Sequence, residues 1–168
     1  MNTVIDIRTA CEKDIPLISS MAETAFRDTY KPILSPEQLD YMMHWMYSEE
    51  SLATQMRGGH QYFIAFLSGE PAAYLSVERQ GGKLFHLQKL YVLPQFKGLG
   101  IGAALFAKAK QYALGLSPEG CTIDLNVNRN NPAYGFYLKM GMRKVRQGDF
   151  PIGGGFFMND YIMSIGVG

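Results

Sequence analysis

Hydrophobic and polar residues in the N-terminal third of the chain alternate at two different spacings. A short stretch alternates at every second residue, which is typical of a strand. The stretches that follow repeat their apolar residues at helical spacing, and polar caps precede them. The pattern predicts the strand Val4–Arg8, a helix capped by Asp14 that ends near Asp28, a helix that begins after Ser35 and ends at Tyr47, and a short helix from Ser48 to near Gly58.

Strands dominate the rest of the chain. Short connections that contain glycine separate the first three strands, and such connections favour antiparallel hairpins. The predicted elements are the strands Tyr62–Leu67, Ala72–Arg79 and Lys83–Leu93, a helix from about Gly100 to Gly115, the strand Cys121–Val127, a helix Pro132–Met140, and the strands Met142–Gln147 and Phe157–Ile165 around a glycine-rich loop, Pro151–Gly155. Antiparallel runs combined with helical crossovers predict an α+β domain. Its mixed, mostly antiparallel sheet should have about seven strands, flanked by about four to five helices.

The composition of the 168-residue chain limits the function classes. The length predicts a single domain, residues 1–168. The net charge of +1 gives no overall electrostatic reason to expect nucleic acid or an anionic membrane as a partner. The longest apolar run, Tyr62–Leu67, is far shorter than the ~20 residues that span a bilayer, and the N-terminus does not resemble a secretory signal. Two cysteines, Cys11 and Cys121, make neither a disulfide framework nor a metal cluster, so we expect a metal-free, cytoplasmic protein.

Acidic and basic residues are unevenly divided along the chain. Residues 1–50 hold nine acidic and four basic side chains, and the remaining 118 residues hold six acidic and twelve basic ones. The imbalance is either ordinary scatter over solvated faces or a sign of two ligands of opposite charge. In the second case a cationic ligand lies near the N-terminal part and an anionic ligand near the C-terminal part.

The most informative segment is a glycine turn between a predicted strand and a predicted helix. The strand residues Leu87–Pro94 lead into Gln95–Gly102, which has glycines at positions 98, 100 and 102. Free N–H groups in the first helical turn, together with the helix dipole and Lys97, would make a site suited to a diphosphate. A turn that merely needs glycine geometry would explain the same spacing.

Two known phosphate-binding patterns do not fit this turn. A Walker loop ends in Gly-Lys-Ser/Thr, whereas Gly102 is followed by two alanines. A dinucleotide-binding fold has its glycine loop in the first strand–helix unit, whereas several strands precede the loop here. Asp124 has roughly the spacing of the ribose-binding acid of that fold, but it lies in the middle of a predicted strand.

A second motif follows the strand Cys121–Val127 and reads Asn130-x-x-Ala133-x-x-Phe136-Tyr137-x-x-x-Gly141-Met142. Together with Val92-x-Pro94 and the glycine turn, it resembles the paired motifs of the GNAT superfamily, the acetyl-CoA-dependent N-acetyltransferases. The resemblance is strong over about residues 60–145, and the whole element order is compatible with it. Two positions depart from the family pattern: Lys97 stands where Arg or Gln is usual, and Met142 stands where Phe is usual.

The resemblance implies acetyl-CoA as the co-substrate and carries site residues with it. In this family the strand before the glycine loop pairs with the pantetheine arm, and the loop amides contact the diphosphate. The matching positions are Leu90, Tyr91 and Val92 in the strand, Lys97, Gly98, Leu99, Gly100, Ile101 and Gly102 in the loop, and Asn130 and Lys139 beyond it. Tyr137 matches the general acid that protonates the departing thiolate. The alternatives are a core aromatic for Tyr137 and a helix cap or turn residue for Asn130.

The acceptor in this family is an amine, and its nitrogen must lose a proton. An amine with a pKa near ~10 is neutral in only about one molecule in 10³ at pH 7. Glu78 and His86, on neighbouring predicted strands, are candidates for the base, and ordinary solvated strand residues are the alternative for both. Aromatic residues of the N-terminal helices are either core or faces that hold an ammonium by cation–π contact: Tyr30, Tyr41, Trp45 and Tyr47.

The leading hypothesis is an N-acetyltransferase that moves an acetyl group from acetyl-CoA to a primary amine by direct attack. The acidic N-terminal part and a loose likeness of Phe26–Tyr30 to polyamine and small-amine acetyltransferases favour a small amine or polyamine as the acceptor. The alternatives are an acetyltransferase for protein N-termini or lysines, and a non-catalytic acyl-CoA sensor. Edge strands in a domain of this size lead us to expect a homodimer.

Overall fold

The computed structural model describes residues 4–168, which form seven strands and five helices. The elements in chain order are β1 (Ile5–Thr9), α1 (Ile15–Tyr30), α2 (Pro36–Tyr47), α3 (Glu49–Arg57), β2 (His60–Leu67), β3 (Glu70–Arg79), β4 (Leu84–Val92), α4 (Ile101–Leu116), β5 (Cys121–Asn128), α5 (Ala133–Lys139), β6 (Arg143–Gly153) and β7 (Phe156–Val167). The predicted α+β architecture is confirmed.

The strands form one sheet in the order β1-β2-β3-β4-β5-β7-β6. Each neighbouring pair is antiparallel except β4 and β5, which run parallel. Short turns suffice for the antiparallel pairs, whereas the parallel pair needs a long crossover, and α4 supplies it. The predicted hairpins of β2, β3 and β4 are therefore confirmed, and α4 lies across the centre of the sheet.

The two predicted helix caps behave differently. Ser35 accepts the amide N–H of Gln38 over 3.1 Å and caps α2 as predicted. Asp14 stands at the cap position of α1, but its carboxylate instead accepts the N–H of Cys11 over 2.9 Å. A short 3-10 turn, Glu12–Asp14, precedes α1 and brings these two residues together.

The glycine-rich loop predicted at Pro151–Gly155 is wrong, because β6 and β7 continue almost to its centre. Gly153 pairs with Phe156, so only Gly154 and Gly155 turn the chain, with φ angles of +62° and +79°. Two left-handed residues are what a tight turn between twisted strands requires. The register of the hairpin allows both strands to extend, and a loop would leave their main-chain groups unpaired.

The tip of the β6–β7 hairpin is docked on α2. Tyr41 donates its hydroxyl hydrogen to the carbonyl of Ile152 over 2.8 Å, and the Gln38 side chain donates to the carbonyl of Phe157 over 2.8 Å. Tyr41 also contacts Phe156 and Trp45, with ring centroids 5.3 Å and 6.3 Å away. Tyr41, one of the aromatic residues predicted as core or acceptor site, is therefore partly structural, while Trp45 keeps 46% of its surface exposed.

The sheet has a different core on each side. The side covered by α4 and α5, here called the α4 face, is filled mainly by aliphatic and phenylalanine side chains. The side covered by α1, α2 and α3, here called the α1–α3 face, buries several tyrosines. Tyr74 and Tyr47 belong to it and share a hydrogen bond of 2.8 Å between their hydroxyl groups. Tyr47, predicted as core or as acceptor site, is a core residue.

A β-bulge in β4 decides which side chains reach each face. Ser76 of β3 pairs with Lys89, whereas the next residue, Val77, pairs with Leu87, so Gln88 is an extra residue in β4. Leu87 packs into the α4 face, and without the bulge Lys89 would follow it there. Instead the side chain of Lys89 enters the α1–α3 face.

The part of the chain that the structure describes contains no helix that is long and apolar enough to cross a membrane. Among residues 4–168, no three His, Cys, Asp or Glu side chains are grouped as metal ligands. Cys11 is exposed, Cys121 is buried, and neither forms a disulfide.

Candidate active site

The strands β4 and β5 diverge after a short paired stretch, and a groove opens between them. They are paired only over Leu84–Leu87, opposite Thr122–Leu125. Within residues 4–168 no strand pairs with this edge of β4 beyond Leu87, so its main-chain groups face the groove. The groove has a volume of about 870 Å³. Its walls are the end of α1, the end of β4, the glycine turn, the start of α4, the loop after β5 and part of α5.

The glycine turn presents main-chain amides to one end of the groove. Gly98 and Gly100 have φ angles of +79° and +81°, a left-handed conformation that favours glycine. The amide of Ala104 donates to the carbonyl of Gly100 over 3.1 Å, and the earlier amides of α4 have no intrahelical acceptor. The positive end of the helix dipole lies at the same place. This end of the groove is therefore suited to an anion.

Lys97 lies at the mouth of the groove, opposite the end of α1. Its Nζ is 3.5 Å from Oδ2 of Asp28, and both residues line the groove. The two side chains are about half exposed, and an exposed ion pair of this kind contributes little to stability. The ammonium of Lys97 can therefore exchange Asp28 for a phosphate at small cost.

Tyr137 enters the groove from the α4 face. Its side chain is buried, and the rings of Phe106 and Phe136 lie 6.4 Å and 5.2 Å from it between centroids. Burial raises the pKa of Tyr137 well above its ordinary value, and proximity to Tyr30 raises it further. A phenol in this state keeps its proton at neutral pH, and a general acid must hold its proton until the reaction needs it.

Tyr30, Tyr91 and Asn131 meet on the opposite wall, which belongs to the α1–α3 face. The hydroxyl oxygens of Tyr30 and Tyr91 are 3.3 Å apart, and Asn131 Nδ2 donates to the hydroxyl oxygen of Tyr30 over 3.4 Å. All three residues line the groove. Burial raises the pKa of both phenols, so they are neutral as well. The groove is therefore bounded by protonated phenols on both sides of the sheet.

The sequence leaves two roles open for Asn130, a contact with the cofactor or a helix cap or turn residue, and the structure shows what each of Asn130 and Asn131 contacts. Asn130 is exposed and lines the groove. Asn131 is buried, and its Oδ1 accepts the N–H of Ala133 at the start of α5 over 2.9 Å. The role of the turn residue before α5 therefore belongs to Asn131. The sequence motifs do not assign Asn131 to the site, although an asparagine before proline is a signal for the start of a helix or turn.

The structure brings most of the predicted cofactor residues together along the groove. Nine of them line it: Leu90, Tyr91, Val92, Lys97, Gly98, Gly100, Ile101, Gly102 and Asn130. Tyr137 and Tyr30 line it too. Leu99 and Lys139 do not, and Leu99 is 52% exposed. Because the side chain of Leu99 lies outside, only its main chain is left as a contact for an anion.

Glu78 and His86, the two candidates for the base, lie outside the lining of the groove. Both are on the α1–α3 face, and they pair directly across β3 and β4. The carboxylate of Glu78 is held by His60 Nε2 at 3.2 Å and by Gln88 Nε2 at 3.0 Å. His86 Nε2 lies 3.1 Å from Oδ1 of Asn126, which does line the groove. The carboxylate of Glu78 therefore already has bonding partners outside the groove, and His86 reaches the groove only through Asn126.

Lys89 is a buried lysine that no sequence motif identifies. Its Nζ donates to the hydroxyl oxygen of Tyr62 over 2.6 Å, to Oε1 of Gln55 over 2.9 Å and to the carbonyl of Met46 over 3.1 Å. The same atom lies 4.3 Å from the centre of the Tyr47 ring. Burial lowers the pKa of Lys89 to about 7. Lys89 thus ties α2 and α3 to the strand whose end lines the groove.

Comparison with known proteins identifies the family that this arrangement resembles. The sequence profile of the acetyltransferase (GNAT) domain matches residues 30–151. An uncharacterized N-acetyltransferase from Archaeoglobus fulgidus is 33% identical over 92 residues, which are 51% of this chain and 61% of that protein. This chain thus matches less than two thirds of that relative's length.

Two solved structures share the fold at low sequence identity. The PaiA N-acetyltransferase from Thermoplasma acidophilum, solved in complex with coenzyme A, has a TM-score of 0.76 and 21% identity, over 96% of this chain and 98% of that one. The ribosomal-protein-S18-alanine N-acetyltransferase from Escherichia coli has a TM-score of 0.71 and 20% identity, over 98% and 94%. The mixed sheet and its helices are therefore those of N-acetyltransferases.

Proposed function

The chain belongs to the acetyltransferase (GNAT) domain family, and we propose that it transfers the acetyl group of acetyl-CoA to a primary amine by direct attack. The observation that carries this proposal is the groove, which joins the glycine turn, the open edge of β4 and Tyr137 in one cleft. We also propose that residues 1–168 are a single domain. One sheet that takes strands from Ile5 to Val167 supports this.

The residues at the two ends of the groove fit the parts of acetyl-CoA. At one end, the amides around Gly98–Gly102 and the ammonium of Lys97 suit a diphosphate. An added Cβ would meet no atom within 4 Å at Gly98 or Gly100, so the turn is open to a ligand. Between the ends, the unpaired edge of Leu90–Val92 can bond an extended pantetheine arm as an added strand would. When bound, acetyl-CoA supplies the reactive thioester.

Residues near the separation of β4 and β5 would carry the chemistry. A main-chain N–H of the Leu90–Val92 segment holds the carbonyl oxygen as negative charge develops on it. Tyr137 donates its proton to the sulfur as the carbon–sulfur bond breaks. Transfer from a phenol of raised pKa to a thiolate is uphill, so it proceeds as the bond breaks rather than beforehand.

The acceptor that we propose is a small amine or polyamine. The docked β6–β7 hairpin supports a small acceptor, because its contacts with α2 restrict the side of the sheet from which a peptide would enter. The phenols of Tyr30 and Tyr91 support a cationic one, since neutral aromatic rings attract an ammonium. The nine acidic side chains of residues 1–50 would favour its approach.

An acceptor screen tests the proposal. The purified chain is mixed with acetyl-CoA and with panels of polyamines, amino acids, aminoglycosides and peptides, and the released thiol is measured. We expect turnover with small amines and little with peptides. Turnover with peptides alone would support a protein acetyltransferase instead. Binding of acetyl-CoA without turnover of any acceptor would support a non-catalytic sensor.

A further inference from the structure

The C-terminal end of α1 forms part of the groove wall and brings a carboxylate to it. Asp28, Thr29, Tyr30 and Pro32 all line the groove. Asp28 is the only acidic residue of the lining in the part of the chain that the structure describes, and its side chain is 49% exposed. A ligand in the groove can therefore reach the carboxylate of Asp28 without entering the core.

The same end of α1 also has main-chain carbonyl groups that no amide satisfies. Residue 32 is proline, so the carbonyl of Asp28 lacks the N–H that a continuing helix would supply. The N–H of Ile33 donates to the carbonyl of Tyr30 over 2.9 Å, and within residues 4–168 the carbonyl of Thr29 has no main-chain donor. Free carbonyls and the negative end of the helix dipole both favour a cation at this place.

Lys97 is the cation that lies beside Asp28. Its Nζ is 3.5 Å from Oδ2 of Asp28, and among the described residues this is the only ion pair that Asp28 makes. The neighbouring Arg27 is bonded to Glu23 and Asp40 instead, at 2.5 Å and 2.8 Å. Lys97 is also the side chain proposed to bind the diphosphate of acetyl-CoA. When Lys97 binds the diphosphate, the carboxylate of Asp28 loses its partner and is free to bind another cation.

The groups around the hydroxyl of Tyr30 differ from Asp28, because they carry no charge. Tyr30, Tyr91 and Asn131 offer hydroxyl and amide groups to the groove, and burial raises the pKa of both phenols. The nitrogen that attacks the thioester must lose its positive charge, whereas a carboxylate favours a charge that is kept. Asp28 and Tyr30 are two residues apart on one helix, and side chains at this spacing do not face each other. They therefore suit two different groups of one ligand.

We propose that Asp28 binds a second ammonium group of the acceptor, the one that does not react, after bound acetyl-CoA has drawn Lys97 away. This inference rests on the proposed acetyl transfer. The acceptor is then a diamine or polyamine rather than a monoamine. One of its nitrogens reacts between Tyr30 and Tyr137, and another stays protonated at the mouth of the groove. The distance between these two places sets the length of the carbon chain that fits best.

The exchange of partners at Asp28 couples the binding of the two substrates. Without the cofactor, a diamine must displace Lys97 from Asp28, and with the cofactor it need not. Acetyl-CoA therefore raises the affinity for the diamine, and the diamine raises the affinity for acetyl-CoA by the same factor. Because an exposed ion pair is weak, we expect this factor to be about threefold to fivefold.

The first test compares Asp28→Asn with Asp40→Asn, which changes an exposed carboxylate on α2 outside the lining of the groove. We measure kcat/KM for linear diamines of increasing length and for the monoamine of each length. The wild type should prefer one diamine over its monoamine. Asp28→Asn should lower that ratio about fivefold, mainly through KM, and Asp40→Asn should keep it. An unchanged ratio in Asp28→Asn, or a wild type that does not distinguish diamines from monoamines, would contradict the proposal.

Calorimetry separates this inference from the proposed reaction, because it needs no turnover. The preferred diamine, or 1,4-diaminobutane if none is acetylated, should bind the wild type about threefold to fivefold more tightly when coenzyme A is present, and Asp28→Asn should lack this gain. The gain without acetylation of any acceptor would support the ammonium site and contradict the proposed reaction.

Two outcomes of the calorimetry would contradict the site itself. An equal gain in the wild type and in Asp28→Asn would show that the charges of the two ligands attract each other without Asp28. Asp28→Glu keeps the negative charge and should keep the gain. Loss of the gain in Asp28→Glu as well as in Asp28→Asn would contradict a site that depends on the charge at this position.

Discussion

The two faces of the sheet meet at the same groove, but they contribute to it in different ways. The α4 face supplies main-chain amides from one continuous segment, Leu90–Gly102, and the phenol of Tyr137. The α1–α3 face supplies side chains from separate elements, among them Tyr30, Tyr91 and Asn131. The first arrangement binds a ligand by backbone shape, whereas the second recognises it by the position of individual polar atoms.

The cores behind the two faces differ in the same way. Behind the α4 face, mainly aliphatic and phenylalanine side chains pack around the phenol of Tyr137. Behind the α1–α3 face, Tyr47, Tyr62, Tyr74 and Lys89 are buried and bonded to one another or to nearby groups. Apolar packing holds the backbone on the glycine-turn side of the groove rigid, and the hydrogen-bonded core fixes the directions of the phenols. The contrast predicts that mutations on the two sides will affect different steps.

The largest expected effect comes from Tyr137, which is the proposed general acid on the α4 face. Tyr137→Phe should lower kcat by about 10²-fold or more, because it removes the acid that protonates the sulfur. Acetyl-CoA affinity should be unchanged, as measured by equilibrium binding. Tyr134→Phe on the same helix is the matched control and should retain activity. Unchanged turnover in Tyr137→Phe would remove this residue from the mechanism.

A second effect concerns the polar core of the α1–α3 face. The pKa of Lys89 is about 7 in the folded chain and near 10.5 in the unfolded chain. Between these values the unfolded chain binds a proton that the folded chain does not, so the wild type becomes more stable as pH rises. The gain has an upper limit of about 1.4 kcal/mol per pH unit. Below pH 7 both states bind the proton, and the burial penalty is fully present.

Urea unfolding at several pH values would measure this effect. Lys89→Met lacks the titrating group, so the free energy of unfolding of the wild type should rise relative to this variant between about pH 7 and about pH 10. Lys83→Met, which changes an exposed lysine, should show no such trend. A constant difference between the wild type and Lys89→Met would show that Lys89 stays protonated throughout this range.

The smallest expected effect concerns the backbone of the glycine turn. Gly100→Ala places a Cβ at a φ of +81°, which costs about 1–2 kcal/mol. If the turn relaxes, its amides change direction, and acetyl-CoA binding should weaken about tenfold while the amine KM stays constant. Gly115→Ala, at the other end of α4, should instead stabilise the helix by about 0.5–1 kcal/mol. Normal acetyl-CoA binding by Gly100→Ala would contradict the proposed binding of the diphosphate by the amides of the glycine turn.

The elements were predictable where local signals agree. The turn residues between β2, β3 and β4 indicated antiparallel hairpins, and the structure confirms them. The β6–β7 connection was predicted wrongly because Pro151–Gly155 has the composition of a loop. Its backbone nevertheless extends both strands and docks on Tyr41, a residue more than a hundred positions earlier. The glycine and proline content of a segment indicates its local backbone conformation, but it does not indicate a contact with a residue so distant in the sequence.

The sequence by itself determined the glycine-turn side of the groove, from Leu90 to Gly102, because a strand, a glycine turn and a helix start are set by neighbouring residues. Only the tertiary structure decided the opposite wall of the groove. The bulge at Gln88 places the side chain of Lys89 on the α1–α3 face, and the pairing of β4 with β5 only as far as Leu87 opens the groove. Such placements depend on pairing between distant strands, and a shift of one residue would move each side chain to the opposite face.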